Sequence, residues 1–488
     1  MHEADFFWEF SCLFQLMGSI IEKKQKDFAL MIDTLTQCLR FARAFKTRPF
    51  TFIWLGQSIS SLGDGIFQVA LAWQVLLMTH SGTAMGIVLI ASTIPRLVFL
   101  LIGGVAADRL PRRLIILWSD GGRGVIVLLI SIVGFMGYLQ FWQLIIESLI
   151  FGVVDGFFNP AIMAITPDLV EKDDLSSANA LNSFSGNLSQ LFGPLLGALL
   201  IALFTPMGAF FADALSFIIS VAFLLSVRIP ERHVAMQTEM AESTPDVLVG
   251  VAENASLALA ELAEGTSVAL AETEEAPAKP RGFRGVVEDV QEGLIYVRSS
   301  TWLWVTVISA ALGNIGLTAA LAVAMPKLVN DVYRQGPWLL GLISTTGAIG
   351  SIVALLLIGQ ATRLKKRGLL AYLSLVPPSI GLVLFGLPFP RSEAPIIASL
   401  ASMLVGFGLA FFNTIYFTIL HETIPSDKLG RVISLDALGS FAMVPVGEGL
   451  GGILTDHIGP AQVFVVFGLI NLVLNLFPLL FKEVRQVE

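Results

Sequence analysis

The sequence predicts an all-α membrane protein, with twelve transmembrane helices in two pseudo-symmetric six-helix halves. Three observations carry that expectation. Hydrophobic residues make up 55% of the 488-residue chain and charged residues only 14%, whereas a soluble globular protein carries about 25% charged residues. The apolar residues gather in continuous windows of about 20 or more, the length a helix needs to cross a bilayer. They do not alternate with the period of two that a membrane-barrel strand shows. Finally, a glycine followed by a basic turn closes two of these windows, at Gly104–Arg113 and again at Gly359–Arg367, roughly half a chain apart.

In chain order the first six windows are Phe50–Leu77, Ala84–Ala106, Leu114–Tyr138, Phe141–Ile165, Ala178–Phe204 and Met207–Val227. The second six are Trp302–Met325, Trp338–Ala361, Leu369–Leu387, Pro395–Leu420, Val432–Thr455 and Ala461–Phe481. If the amino terminus lies inside, the outward connections hold only Lys327, Arg334 and Arg391. The inward ones hold Arg109–Arg113, Arg363–Arg367, Lys428 and Arg431. Positive charge favours the cytoplasmic side, so both termini are expected to be cytoplasmic.

The halves also echo each other. The stretch Asn159–Leu175 aligns with Asn413–Leu429, placing Asp168 opposite Glu422 at an offset of 254; further on Leu181 meets Leu435, Gly193 meets Gly447 and Gly197 meets Gly451. Parallel repeats of this kind place a binding site at their interface near the bilayer midplane. The expected organisation is therefore an extension (1–48), a first half (49–228), a linker (229–300), a second half (301–482) and a short tail (483–488).

The linker contains Met236–Glu275, rich in alanine and acid and almost free of aromatic residues. That composition cannot bury a core and reads as disordered or weakly helical. Phe283–Arg298 has helical apolar spacing and reads as an interfacial helix before the seventh window. Near the start, Phe6–Ile21 is too short to span comfortably, and no basic region precedes it as in a secretory signal. Met31 is a possible alternative start. Cys12 and Cys38 both precede the first window, so no disulfide framework is expected. No nucleophile–base set, nucleic-acid signature, metal-ligand spacing or cofactor motif emerges, so neither an enzyme nor a cofactor is expected.

The turn Gly104-Val-Ala-Ala-Asp108-Arg109-Leu-Pro111-Arg112-Arg113 resembles the loop signature of the major facilitator superfamily between its second and third spans, with Pro111 in place of the usual second glycine. A weaker copy runs from Gly359 through Arg363. In physical terms, Gly104 would let helices approach closely, Asp108 would face a helix amino terminus, and the three arginines would pair with acids across the cytoplasmic seam. The resemblance narrows to the macrolide-efflux and enterobactin-exporter branch at Pro160–Ala161, Thr166–Val170, Ala178–Asn182, Gly193–Gly197, Leu429–Ser434 and Phe481–Arg485. Gly193-Pro194, with Gly197 one turn on, resembles the helix-kink signature of antiporters, and simple packing is the alternative. The fourth span departs from the drug–proton antiporter pattern, because Glu147–Gly156 contains no arginine.

Charges inside a membrane are costly and ask for a reason. Asp64 lies midway along the first window with Gln57 and Gln68 around it, Arg96 midway along the second and Asp155 midway along the fourth. The resemblance implies that the first, fourth, seventh and tenth spans line a cavity. Asp64 and Asp155 are then the leading candidates for proton or substrate contact, with Arg96 as a releasable partner. Asn314, Asn413 and Glu448 complete the candidate set. Asp120 and Arg123 read as a local ion pair near the cytoplasmic seam. The function so implied is export of a small, largely apolar compound across a bacterial cytoplasmic membrane by proton antiport, from a monomer whose partners are substrate, protons and lipid. A siderophore or lipid exporter, and a transporter-like sensor or scaffold, are the alternatives.

Overall fold

The computed structural model describes residues 43–227, 294–360 and 366–486. The N-terminal extension, the acidic linker, most of the expected interfacial helix and Arg363 lie outside the described residues, as do the side chains of Leu101, Val105 and Asp108. Everything regular among the described residues is helical: α1 (Arg48–Thr79), α2 (Gly82–Arg109), α3 (Arg112–Phe135) and α4 (Phe141–Leu169), then one helix over Leu175–Ser226. The second half comprises α7 (Thr301–Val332), α8 (Pro337–Gln360), α9 (Arg367–Gly386), α10 (Ala394–Thr423), α11 (Ser426–Phe441 and Val444–His457) and α12 (Pro460–Leu480), followed by α13 (Lys482–Gln486). Eleven of these helices are long and apolar enough to cross a membrane.

The expected count of twelve turns on the helix Leu175–Ser226, whose 52 residues break at Thr205 (φ 68°, ψ 170°) just before Pro206. We label its arms α5 (175–204) and α6 (206–226). Along α5, Ser185 meets Ser58, Gly193 meets Gly65 and Gly197 meets Ile66, so α5 runs parallel to α1. Along α6, Asp213 and Ser216 meet Gly63 while Ser220 meets Gly56, the reverse order. The chain therefore doubles back at Thr205, and both arms flank α1.

Local chemistry sets the remaining boundaries. Pro49 opens α1, where a missing N–H costs nothing. Ser81 caps α2 by accepting from the Ala84 N–H (3.2 Å). Gln140 and Gln143 form a reciprocal box at the start of α4. The seventh window was expected to end at Met325, but α7 runs on to Val332 through two stretches of wider, π-type turns, Ala319–Ala324 and Leu328–Val332. α9 and α11 are each interrupted just before a proline, Pro377 and Pro445 respectively.

The bundle has two ends. The basic end carries Arg48, Arg109, Arg112 and Arg367; the far end carries the α1–α2 turn and His457. In the first half α1 packs on α5 and α6, and α2 on α4; in the second, α7 packs on α11 and α8 on α10. Small residues let the backbones touch. A Cβ on Gly193 would sit 2.9 Å from the Gly65 Cα and 3.2 Å from the Leu62 carbonyl oxygen. Gly152 abuts the Ser92 carbonyl, and 254 residues later Gly406 abuts that of Gly347, so the repeat extends to packing. Gly103, not Gly104, makes the close approach of α2 to Gly156 on α4. Open space lies beside Gly104 and Gly359, because one residue of helix rotation turns them off the contact face. Replacing Gly193 with valine forces α1 and α5 apart. We expect a loss of about 1–3 kcal/mol, measured as a lower unfolding temperature in detergent, while valine at exposed Gly359 leaves that temperature nearly unchanged.

Candidate functional site

A cavity of about 700 Å³ lies between the halves. Its apolar wall includes Phe67, Phe151, Met325 and Ile343, with Phe67 stacked on Phe151 (5.1 Å between centroids). Its polar groups include Asp64, Gln68, Arg96, Arg123, Glu147, Asp155 and Glu448.

Arg123 organises one side of this cavity. It stands eleven residues into α3, about 16 Å along the helix axis, and is only 3% exposed. Its Nη2 donates to Asp120 Oδ1 (2.9 Å) and its Nη1 to Asp155 Oδ1 (3.3 Å), with Asp64 Oδ1 3.8 Å from the same nitrogen. The rings of Phe158 and Phe217 cover the guanidinium at 4.3 and 4.9 Å. The other oxygen of Asp120 accepts from Gln57 Nε2 (2.8 Å) and Ser220 Oγ (2.7 Å). One guanidinium thereby ties α1, α3, α4 and α6 together. Asp120 is fully buried, whereas the side chains of Asp64 and Asp155 are 38% and 28% exposed, so water and solute reach those two.

Asp64, Asp155, Gln68, Arg96 and Glu448 all line this cavity. The expected pairing of Arg96 with an aspartate is replaced by Arg123, which reaches both carboxylates. Arg96 is exposed and stands within electrostatic reach of Asp155 and Glu448, with no hydrogen bond or contact ion pair among the described residues. Asn314 and Asn413 do not join the set. They line a separate cavity inside the second half, where Asn314 donates to the Ser440 carbonyl (2.8 Å). Glu448 is buried at the α2–α11 contact and accepts from Thr93 Oγ1 (2.8 Å), with its other oxygen unpartnered. Pro194 lines the cavity, while Gly193 and Gly197 serve packing against α1.

Sequence reasoning missed the central place of Arg123 and the buried acids Glu147 and Asp213. Helix rise from the Arg112 turn was the available signal, since Arg123 lies too deep for a seam. The fourth span lacks an arginine, and α3 supplies the cation beside Asp155 instead.

The halves touch mainly toward the far end. Asp456 on α11 accepts from Ser81 Oγ (2.6 Å), Gly82 N–H (2.7 Å) and Thr83 N–H (2.9 Å) at the start of α2, and from Lys327 Nζ (2.6 Å) on α7. A carboxylate there meets the partial positive charge of a helix amino terminus. The Thr345 hydroxyl donates to the Leu191 carbonyl (2.9 Å), and Gly341 packs on Pro194 and Ala198. By contrast α4 and α10 pack on helices of their own halves, so among the described residues the cavity opens toward the basic end. The basic turn behaves accordingly. Arg112 donates to Asp168 (2.6 Å) and to the Ala164 carbonyl (2.8 Å), and Arg113 to the Leu224 carbonyl (2.7 Å). These partners lie in the same half rather than across the seam between the halves. The pair Arg112–Asp168 recurs at the repeat offset as Arg367–Glu422.

Two repeated helical halves enclosing a charged central cavity closed at one end define a transporter body. The model of the Major Facilitator Superfamily matches residues 53–447. The chain belongs to that superfamily, whose members carry small molecules across membranes and are not enzymes. It is 22% identical over 439 residues to macrolide efflux protein A of Streptococcus pyogenes, covering 90% of this chain and 97% of that one. It is 25% identical over 427 residues to the enterobactin exporter EntS of Shigella flexneri, covering 84% and 87%. A bacterial homolog of the human lysosomal transporter Spinster, solved inward-facing and unoccupied, shares the fold with a TM-score of 0.62 at 13% identity, covering 90% and 98%.

Replacing Arg123 by glutamine leaves Asp120 buried without its cation. We expect a stability loss of about 3–5 kcal/mol, and Asp120→Asn in the same chain recovers part of it. An unchanged unfolding temperature for Arg123→Gln contradicts the hub.

Proposed function

We propose that this protein is a secondary transporter that exports small, largely apolar compounds by alternating access, with proton entry as the driving force. The observation that carries the reading is the central cavity itself. An apolar, aromatic wall is joined by two carboxylates, Asp64 and Asp155, that solute can reach and that one buried arginine holds. Asp64, Asp155 and Asp120 share that guanidinium, an excess of negative charge that a bound proton or a cationic group relieves. Binding of either at Asp64 or Asp155 loosens α1 and α4 from α3, a differential contact of the kind that biases a two-state equilibrium. The efflux relatives support export as the direction.

The arms α5 and α6 count as separate crossings in this reading, giving twelve spans in halves 49–228 and 301–482. Positive charge gathers at the end where the cavity opens, so that end is cytoplasmic, both termini lie there, and this conformation faces inward. The bacterial cytoplasmic membrane is the setting, and one chain holds the whole cavity, so a monomer suffices. In the outward-facing state the Asp456 clamp must part.

A second substrate class is favoured by one observation. Arg96 faces the cavity without an ion-pair partner among the described residues, which suits an anionic compound such as a catecholate siderophore. In proteoliposomes with an imposed pH gradient, wild type should concentrate a macrolide. Asp64→Asn and Asp155→Asn should each abolish uphill movement while leaving downhill exchange. Arg96→Gln should leave macrolide flux intact under the first reading and abolish catecholate flux under the second. Uphill transport that survives both aspartate replacements contradicts the coupling site.

A further inference from the structure

The second half holds its own cavity, about 360 Å³, walled by α7, α9, α10, α11 and α12. We propose that it binds a small organic cation, a quaternary or protonated amine bearing apolar groups, through the Asp436 carboxylate and the rings around it.

Among the described residues Asp436 is the one charged residue lining the space, and it is 7% exposed. It accepts a single hydrogen bond, from the Tyr416 hydroxyl (2.7 Å), and no lysine or arginine lies within ion-pair distance among the described residues. Burying a carboxylate without a counter-charge is costly, and the repeat shows that the fold does not need one there. At the corresponding first-half position stands Asn182, whose amide donates to Thr166 Oγ1 (3.3 Å).

The rest of the wall is suited to a cation. The Phe412 and Tyr416 rings stack at 5.6 Å, and Tyr372 meets Phe412 edge-on at 5.6 Å. The Thr306 and Tyr372 hydroxyls lie 2.6 Å apart and fix that ring. Aromatic faces beside a carboxylate attract quaternary ammonium groups. Three of the four lining asparagines donate to the helices: Asn314 to the Ser440 carbonyl, Asn471 to the Phe467 carbonyl (3.1 Å) and Asn475 to Ser379 Oγ (3.2 Å). The side-chain oxygens of these three remain to face the cavity as acceptors, and no lysine or arginine lines it among the described residues. An anion finds no counter-charge there. A bare metal ion such as calcium needs about six to eight oxygen ligands, several of them carboxylate, whereas among the described residues this lining offers one carboxylate.

The test is calorimetric titration of the purified full chain in detergent with benzyltrimethylammonium. The wild type should bind, and Asp436→Asn should bind at least about tenfold more weakly. Tyr416→Phe keeps the charge and the ring while removing the hydrogen bond, and should stay within about threefold of wild type. Ala437→Phe, which fills the cavity from α11, should abolish binding and serves where Asp436→Asn does not fold. Four results overturn the proposal: no binding by the wild type, binding unchanged in Asp436→Asn or Ala437→Phe, equal losses in Tyr416→Phe and Asp436→Asn, or loss only in Asp64→Asn, which would seat the cation in the central cavity. The readout is binding and not flux, so failure here leaves the transport reading standing.

Discussion

One buried guanidinium holds the first half together. Arg123 is only 3% exposed, so its charge is answered by carboxylates, and those come from three helices. Asp120 answers it from the same helix and is itself fixed by Gln57 and Ser220. Asp155 and Asp64 answer it from α4 and α1, at longer range and with partial access to the cavity. A buried ion pair contributes little net stability over a well-packed apolar core. What it offers is a contact whose strength depends on the charge of its partners, on helices that bound the cavity.

The seams between the halves differ from that core in kind. At the far end they rest on glycine-lined backbone contacts and on Asp456 bridging the start of α2 and Lys327. These are short-range interactions that fit well or part completely, the behaviour expected of a bistable interface. At the basic end the ion pairs among the described residues stay within a half, as in Arg112–Asp168 and Arg367–Glu422. Each half can thus move as a unit without breaking these two pairs. The proposed rocking motion needs that independence.

The helical membrane fold and the internal repeat were legible in the sequence because hydropathy and charge placement are local signals. The reversal at Thr205-Pro206 was legible in the same way. Asp64 and Asp155 stood out as isolated charges in apolar windows. The pairing of those charges was not legible, since it depends on helix rotation and on which helix is the neighbour. Arg96 and Arg123 look alike in sequence, and only packing puts Arg123 against both aspartates. The assignment of close approach to Gly104 failed for the same reason, since Gly103 takes the contact one residue away. The second-half cavity around Asp436 was also hidden, because an acid near a helix end reads as a surface residue until five helices close over it.

Exchange of protons for substrate at the acids around Arg123 is the central step proposed for this protein. The most direct measurement is the number of protons released to weakly buffered solution when a macrolide binds the detergent-solubilised protein. The account predicts release on binding to the wild type and none in the Asp64→Asn, Asp155→Asn double variant. Binding without release in the wild type, or unchanged release in the double variant, would contradict it.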